Sequence, residues 1–341
     1  MFDKNNKRPI FIMGCERSGT TMLRLMLHNH PNIALPPQTK FMKKIYKRRI
    51  LFGNLGKEKN RQKLITWLFK HDGIKSTRLV DMVLDRDAIK YHILNANPAL
   101  GSILSVLFKL YSEKFHKSRW GDKRPYYIKY VDQLLALFPD AQIIHLIRDG
   151  RDCMASLKQM PWWQKSSLYT ILHWREAIRQ GSRARRKLNT SQYFELRYED
   201  LVTDPEQWLK KVCHFLEEDY TPEMLMFQDL AKIAVPECKI GWHAATRKQI
   251  NTHSIRKWKT DLATWEQTIF NRVAANELRL FGYTHSNQHT AIPISIWIKY
   301  YIILIIYVFD RQSKRMLDGF ISLFYPWPLD HRLGSNQKKQ Q

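Results

Sequence analysis

Two glycines five positions apart, Gly14 and Gly19, are followed directly by Thr20 and Thr21. The pattern Gly-x-x-x-x-Gly-x-Thr suits a loop that turns backbone N–H groups toward a phosphate, with the next helix adding its positive end. In loops that bind nucleoside triphosphates, a lysine follows the second glycine and reaches the β- and γ-phosphates. Here that position is Thr20. What remains can hold a single terminal phosphate, with Ser18, Thr20 and Thr21 as hydroxyl donors and Arg17 as the nearby cation. The ammonium that γ-phosphoryl transfer needs is missing. His28 and His30 follow, but at a spacing of i, i+2 they do not share a helix face. No cluster with metal-ligand spacing is found, and no metal is expected.

Such a loop works between a strand and a helix, and the flanking residues supply both. Residues 9–13 are apolar and of strand length, and 22–27 carries apolar side chains at helical spacing. Further strands are expected at 142–147 and 192–196, and helices at 166–188, 205–218 and 261–281. Strands alternating with helices predict an α/β fold, P-loop-like, with a mainly parallel sheet flanked by helices. Residues 39–118 are helical by pattern and read as an insertion after the first strand–helix unit. The chain is thus expected to divide into a main domain, 1–285, and an apolar, aromatic C-terminal tail, 286–341.

That tail contains 18 residues, 292–309, whose only charge is Lys299. A span of this length is marginal, and a lysine within it costs ~2.5–3.5 kcal/mol on insertion scales. A membrane-associated helix, interfacial or re-entrant, is expected, with a core helix and a true span as the alternatives. No apolar run of signal-peptide length precedes Pro9, so the expected location is cytoplasmic, with peripheral attachment through the tail. Cys15, Cys153, Cys213 and Cys238 form no Cys-x-x-Cys pair, which fits a reducing compartment.

The charge is strongly biased: 56 Lys and Arg against 31 Asp and Glu, a net +25. The excess is concentrated in 40–70, 175–187, 239–259 and 299–341. Basic proteins have anionic partners: nucleic acid, a membrane surface or phosphorylated small molecules. No RNP-like aromatic block or zinc-finger spacing is present, so no nucleic-acid partner is expected. The basic residues around the tail fit an anionic lipid surface.

Arg17-Ser18-Gly19-Thr20-Thr21 after an apolar strand resembles the 5′-phosphosulfate loop of sulfotransferases that use 3′-phosphoadenosine 5′-phosphosulfate (PAPS). Four later blocks agree, in order. Arg148, with Ser156 eight residues on, resembles the family's 3′-phosphate clamp; a forked cation and a hydroxyl suit a dianion. Trp120-Gly121-Asp122-Lys123 resembles the strand carrying the catalytic lysine. Arg197-Tyr198-Glu199-Asp200-Leu201 resembles the block whose tyrosine lies near the adenine. Arg247-Lys248-Gln249-Ile250-Asn251 resembles the loop that closes over the 3′-phosphate. The likeness runs from about 9 to 283 and is strongest to the tyrosylprotein and bacterial carbohydrate-type branch.

The resemblance implies in-line sulfuryl transfer to a hydroxyl acceptor (glycan, lipid-linked or phenolic), with Lys123 stabilising the leaving phosphate. It also exposes a departure. The family's general base is a glutamate in a turn after the first helix, and in Pro36-Pro37-Gln38-Thr39-Lys40 that position is Gln38. An amide cannot accept the proton, which costs roughly 10²–10⁴-fold. Asp122, His28 or His30 could serve instead, or a phenol with pKa about 10 could need little help, or the protein could bind PAPS and transfer poorly. A P-loop kinase or NTPase and a PAPS-binding pseudoenzyme are the competing readings. Acceptor choice is expected to lie in 39–118.

Overall fold

The computed structural model describes residues 7–228, 250–283 and 291–332. Its centre is a five-stranded parallel sheet in the order β2-β3-β1-β4-β5. The strands are β1 (Ile10–Gly14), β2 (Ile33–Ala34), β3 (Arg119–Lys123), β4 (Gln142–Ile147) and β5 (Tyr193–Arg197). The expected strands at 9–13, 142–147 and 192–196 are therefore present. The two-residue β2 is too short to leave a periodic signature.

Parallel strands covered on both faces must be apolar on both, and β1 shows how. Ile10 and Ile12 join a core with Leu23, Met26 and Leu27 of the first helix, Thr20–His28. Phe11 and Met13 join the opposite core with Trp120, Phe138, Ile171 and Trp174. Helices Thr20–His28 and Pro205–Leu216 thus cover one face, while Leu100–Lys114 and Ser167–Lys187 help cover the other. Residues 39–118 contain the helices Phe41–Lys47, Glu58–Lys70, Arg86–Asn95 and Leu100–Lys114.

Between β3 and β4 the chain crosses from one side of β1 to the other. In open α/β sheets such a reversal leaves a crevice at the carboxyl ends of the strands, where ligands bind.

The C-terminal segment forms one long helix, Ile294–Leu323. Its inner face is fastened to the rest of the chain. The Tyr300 hydroxyl accepts from Arg175 (2.9 Å), the Tyr307 hydroxyl accepts from Lys129 (2.7 Å), and Asp318 pairs with Arg49 (3.0 Å). Beyond it, the Pro328 and Leu329 carbonyls accept from the N–H groups of Leu100 and Gly101 at 3.0 and 2.9 Å. Its outer face leaves Ile298, Ile302, Ile305, Phe309, Met316 and Phe320 exposed. No helix among the described residues is long and apolar enough to cross a membrane. The helix is therefore core on one side and, among the described residues, exposed on the other, which an apolar count along the sequence does not distinguish.

Candidate active site

The phosphate loop lies at the carboxyl end of β1, pressed against β4. A Cβ on Gly14 would fall 2.2 Å from the Leu146 carbonyl oxygen, so only glycine fits there. Arg17 (φ 69°) and Gly19 (φ 93°) both adopt left-handed backbone, and the Ser18 hydroxyl donates to the Cys15 carbonyl (2.7 Å). These turns curl the loop over before Thr20 opens the first helix. The Tyr198 ring closes the loop from outside: a Cβ on Gly19 would lie 2.5 Å from its Cδ2.

Lys123 ends β3, in register with Ile12 of β1, and this brings its side chain alongside the loop. Its ammonium donates to the Thr21 hydroxyl (3.2 Å) and to the Gln38 amide oxygen (3.1 Å), and the residue is only 3% exposed. Three positions distant in the sequence thus meet at one point: Thr21 and Gln38 both face the ammonium.

The alternative bases do not join them. Asp122 precedes Lys123 on the strand, so the two side chains leave opposite faces. Its carboxyl accepts from the Tyr127 hydroxyl (2.5 Å) and the Lys123 N–H (2.8 Å), and burial pushes it up to about 6. The His28 Nδ1 accepts from the Leu35 N–H (3.1 Å), and burial pushes that imidazole down to about 2. The His30 Nδ1 accepts from the Asn32 N–H (3.1 Å) while its Nε2 meets the Asp219 carbonyl (2.8 Å). All three are thus engaged in contacts within the fold.

A second basic group forms past β4. Arg148 donates to the Arg17 carbonyl (2.9 Å) and the Ser254 carbonyl (2.7 Å), and its guanidinium stacks 4.6 Å over the Tyr198 ring. The Arg17 Nε donates to the Ser156 hydroxyl (2.9 Å). Arg17 therefore points from the loop toward the Arg148–Ser156 pair and links the two anion-suited places. Tyr198 is largely buried between Gly19 and Arg148. Arg247 and Lys248 lie outside the described residues. The chain that follows them does arrive here, because the Asp152 carboxyl accepts from the N–H groups of Arg256 and Trp258, both at 2.9 Å. Sequence reading passed over Asp152 and Ser254; only the place of Asp152 between Arg148 and Ser156 hinted at a role.

Beneath the loop runs a third group that sequence reading missed. The Glu16 carboxylate lies 2.5 Å from His173 Nε2, and the Lys129 ammonium is 3.1 Å from His173 Nδ1. Burial works to raise the Glu16 carboxyl, but His173 and Lys129 together hold it down at about 2. Cys15, Glu16 and His173 offer ligand atoms within 4.8 Å of one another, although the neighbouring Lys129 ammonium opposes a metal ion there.

Fold and site together set two groups suited to anions side by side: the lysine-free loop after β1, and the Arg148–Ser156 region that Arg17 reaches from that loop. Residues 9–222 match the model of the sulfotransferase family, and the chain belongs to that family. It is similar to a protein-tyrosine sulfotransferase of Drosophila melanogaster, 24% identical over 76% of this chain and 48% of the relative. It is likewise similar to protein-tyrosine sulfotransferase 1 of Danio rerio, 24% identical over 73% of this chain and 65% of the relative. The chain thus spans between about half and two thirds of these relatives' length. Among solved structures, the sulfotransferase domain of the Synechococcus PCC 7002 olefin synthase superposes with a TM-score of 0.56 at 21% identity. That match covers 83% of this chain and 98% of the other, and it shows a common fold.

Proposed function

We propose that the protein transfers the sulfuryl group of PAPS to a hydroxyl acceptor. The observation that carries this is the placement of the Lys123 ammonium, 3.2 Å from the Thr21 hydroxyl at the mouth of the phosphate loop and 3.1 Å from Gln38. In this reading the loop, with Ser18, Gly19, Thr20 and Thr21, holds the 5′-phosphate. Arg148 and Ser156, joined by Arg17, hold the 3′-phosphate, and Arg247 and Lys248 close over it. Tyr198 supports the loop beside the adenine. Lys123 stabilises charge on the leaving phosphate oxygen, where a lost donor costs ~2.7–4 kcal/mol of barrier. Positioning and electrostatics do the work, as in phosphoryl transfer.

Gln38 stands where the acceptor proton must go. With Asp122, His28 and His30 engaged elsewhere, an acceptor that ionises readily is favoured, and a phenolic hydroxyl fits best among the glycan, lipid-linked and phenolic classes. The names of the relatives point the same way. The basic helices of 39–118 form the acceptor side. The uncharged outer stripe of Ile294–Leu323, flanked by Lys299, Lys314 and Arg315, supports peripheral attachment of a cytoplasmic protein to an anionic membrane. A PAPS-binding pseudoenzyme is the second reading, favoured by Gln38 alone. The kinase reading is not favoured, since Thr20 replaces its lysine.

Incubation with radiolabelled PAPS and phenolic, glycan and lipid-linked acceptors tests the proposal. Label is expected on the phenolic acceptor, with adenosine 3′,5′-bisphosphate as a competitive inhibitor. Binding of Mg-ATP without binding of the bisphosphate overturns it.

A further inference from the structure

A cavity of about 280 Å³, which shares no residue with the proposed cofactor site, opens between the C-terminal helix and the helices Phe41–Lys47, Val131–Leu137 and Ser167–Lys187. Its lining mixes apolar side chains, Met42, Leu134, Leu137 and Ile321 among them, with eight basic ones and only two acidic ones. Both acids are already taken. Asp132 pairs with Arg183 (3.4 Å) and Lys187 (2.6 Å), and Asp318 with Arg49 (3.0 Å). Arg311 and Arg315 share the single carboxylate of Glu176 at 3.5 and 3.7 Å.

Lys43 and Lys47 have no carboxylate partner among the described residues. Lys43 instead packs its ammonium 3.9 Å from the centre of the Tyr126 ring and 4.5 Å from that of Tyr130. Burial, reinforced by Arg124, Lys47, Lys314 and Arg311, pushes it down to about 6. Lys314 pairs with Asp310 four residues before it (2.5 Å), an exposed pair of the kind that contributes little. The cations still outnumber the carboxylates they share, and an anion placed among them offsets the remaining repulsion.

A lining that combines apolar and cationic side chains is complementary to an amphiphile with an anionic head. At about 280 Å³ the space is far larger than the ~30 Å³ share of one water. The same helix that supplies Arg311, Lys314 and Ile321 to the cavity carries the exposed row Ile298, Ile305, Phe309, Met316 and Phe320 on its far side. A helix with this division lies in the plane of a headgroup layer, which brings the cavity-lining Arg311, Lys314 and Arg315 of the same helix to the level of lipid phosphates. We propose that this cavity is a binding site for the phosphate headgroup of an anionic lipid, with Lys43, Lys47 and Lys314 as its donors. The inference deepens the membrane-attachment reading and is independent of the sulfuryl-transfer reading.

The test uses the full chain and a monomeric short-chain lipid, dihexanoyl phosphatidic acid, titrated by calorimetry. It is expected to bind at least about tenfold tighter than dihexanoyl phosphatidylcholine or inorganic phosphate. Lys43→Ala and the more exposed Lys314→Ala are each expected to weaken it roughly tenfold, the scale of a lost charged hydrogen bond, with bisphosphate affinity as the control for folding. Equal affinity for inorganic phosphate, or no binding of the monomeric lipid, overturns the site. Sedimentation with phosphatidic acid vesicles separates the two readings. Vesicle binding without short-chain lipid binding refutes this site alone; short-chain binding without vesicle binding refutes membrane attachment and leaves the site standing.

Discussion

Replacing Gln38 with glutamate changes the chemistry at the acceptor without changing its shape. The side chains are nearly isosteric, and the Gln38 amide oxygen already lies 3.1 Å from the Lys123 ammonium. A carboxylate there faces a full positive charge, an attraction of roughly 5 kcal/mol at an effective dielectric constant of about 20. That attraction keeps the new group ionised and in place, but it also weakens it as a base. A general base contributes about 10²–10⁴-fold, and the lysine should hold the gain near the lower end. Gln38→Glu is therefore expected to raise kcat roughly 10²-fold for an aliphatic alcohol acceptor. For a phenol, whose pKa is about 10, the gain should be smaller, under about tenfold. Turnover of labelled PAPS with matched alcohol and phenol acceptors reads both numbers, and calorimetry with adenosine 3′,5′-bisphosphate should give an unchanged Kd. If kcat fails to rise for either acceptor while bisphosphate binding is intact, position 38 does not face the acceptor proton.

Lys123→Ala should lower kcat by about 10²–10³-fold, the scale of one lost transition-state donor, while the bisphosphate Kd in calorimetry stays nearly constant. Arg148→Ala should weaken 3′,5′-bisphosphate by roughly 10–100-fold, as expected for a lost charged hydrogen bond to a dianion, and adenosine 5′-phosphate much less; equal losses for both ligands would remove the 3′-phosphate assignment. Gly19→Ala places a Cβ at φ 93° and 2.5 Å from Tyr198; a destabilisation of roughly 1–3 kcal/mol is expected, seen as a lower midpoint in urea. His28 is held neutral by burial, its pKa lowered to about 2 from an ordinary 6.5, so the unfolded chain binds the proton more readily. Stability should then fall as pH drops below about 6.5, and His28→Asn, which keeps an acceptor for the Leu35 N–H, should flatten the Tm–pH curve in that range.

Local signals in the chain carried much of the fold. β1 and β4 were legible because a parallel strand buried on both faces is a run of apolar residues, and such a run needs no knowledge of its neighbours. The phosphate loop was legible for a similar reason: Gly14, Gly19 and the hydroxyls after them lie within one short segment. The convergence of Lys123, Gln38 and Thr21 was not legible as contact, since Gln38 lies 85 residues and Thr21 102 residues before Lys123.

Asp122, His28 and His30 show the reverse case. Their residue types suggest proton transfer, but strand alternation and burial commit them to Tyr127, Leu35 and Asp219. The C-terminal helix was visible as an apolar stretch; that its inner side belongs to the core and its outer side to none of the described residues depended on the packing of Ser167–Lys187. By itself the sequence determined where the longer strands, the glycine-bounded loop and most helices form, because those follow from backbone and hydrophobic pattern along a short segment. The tertiary structure decided which polar atoms share a site, because strand register and the crossover around β1 bring together groups that no local pattern connects.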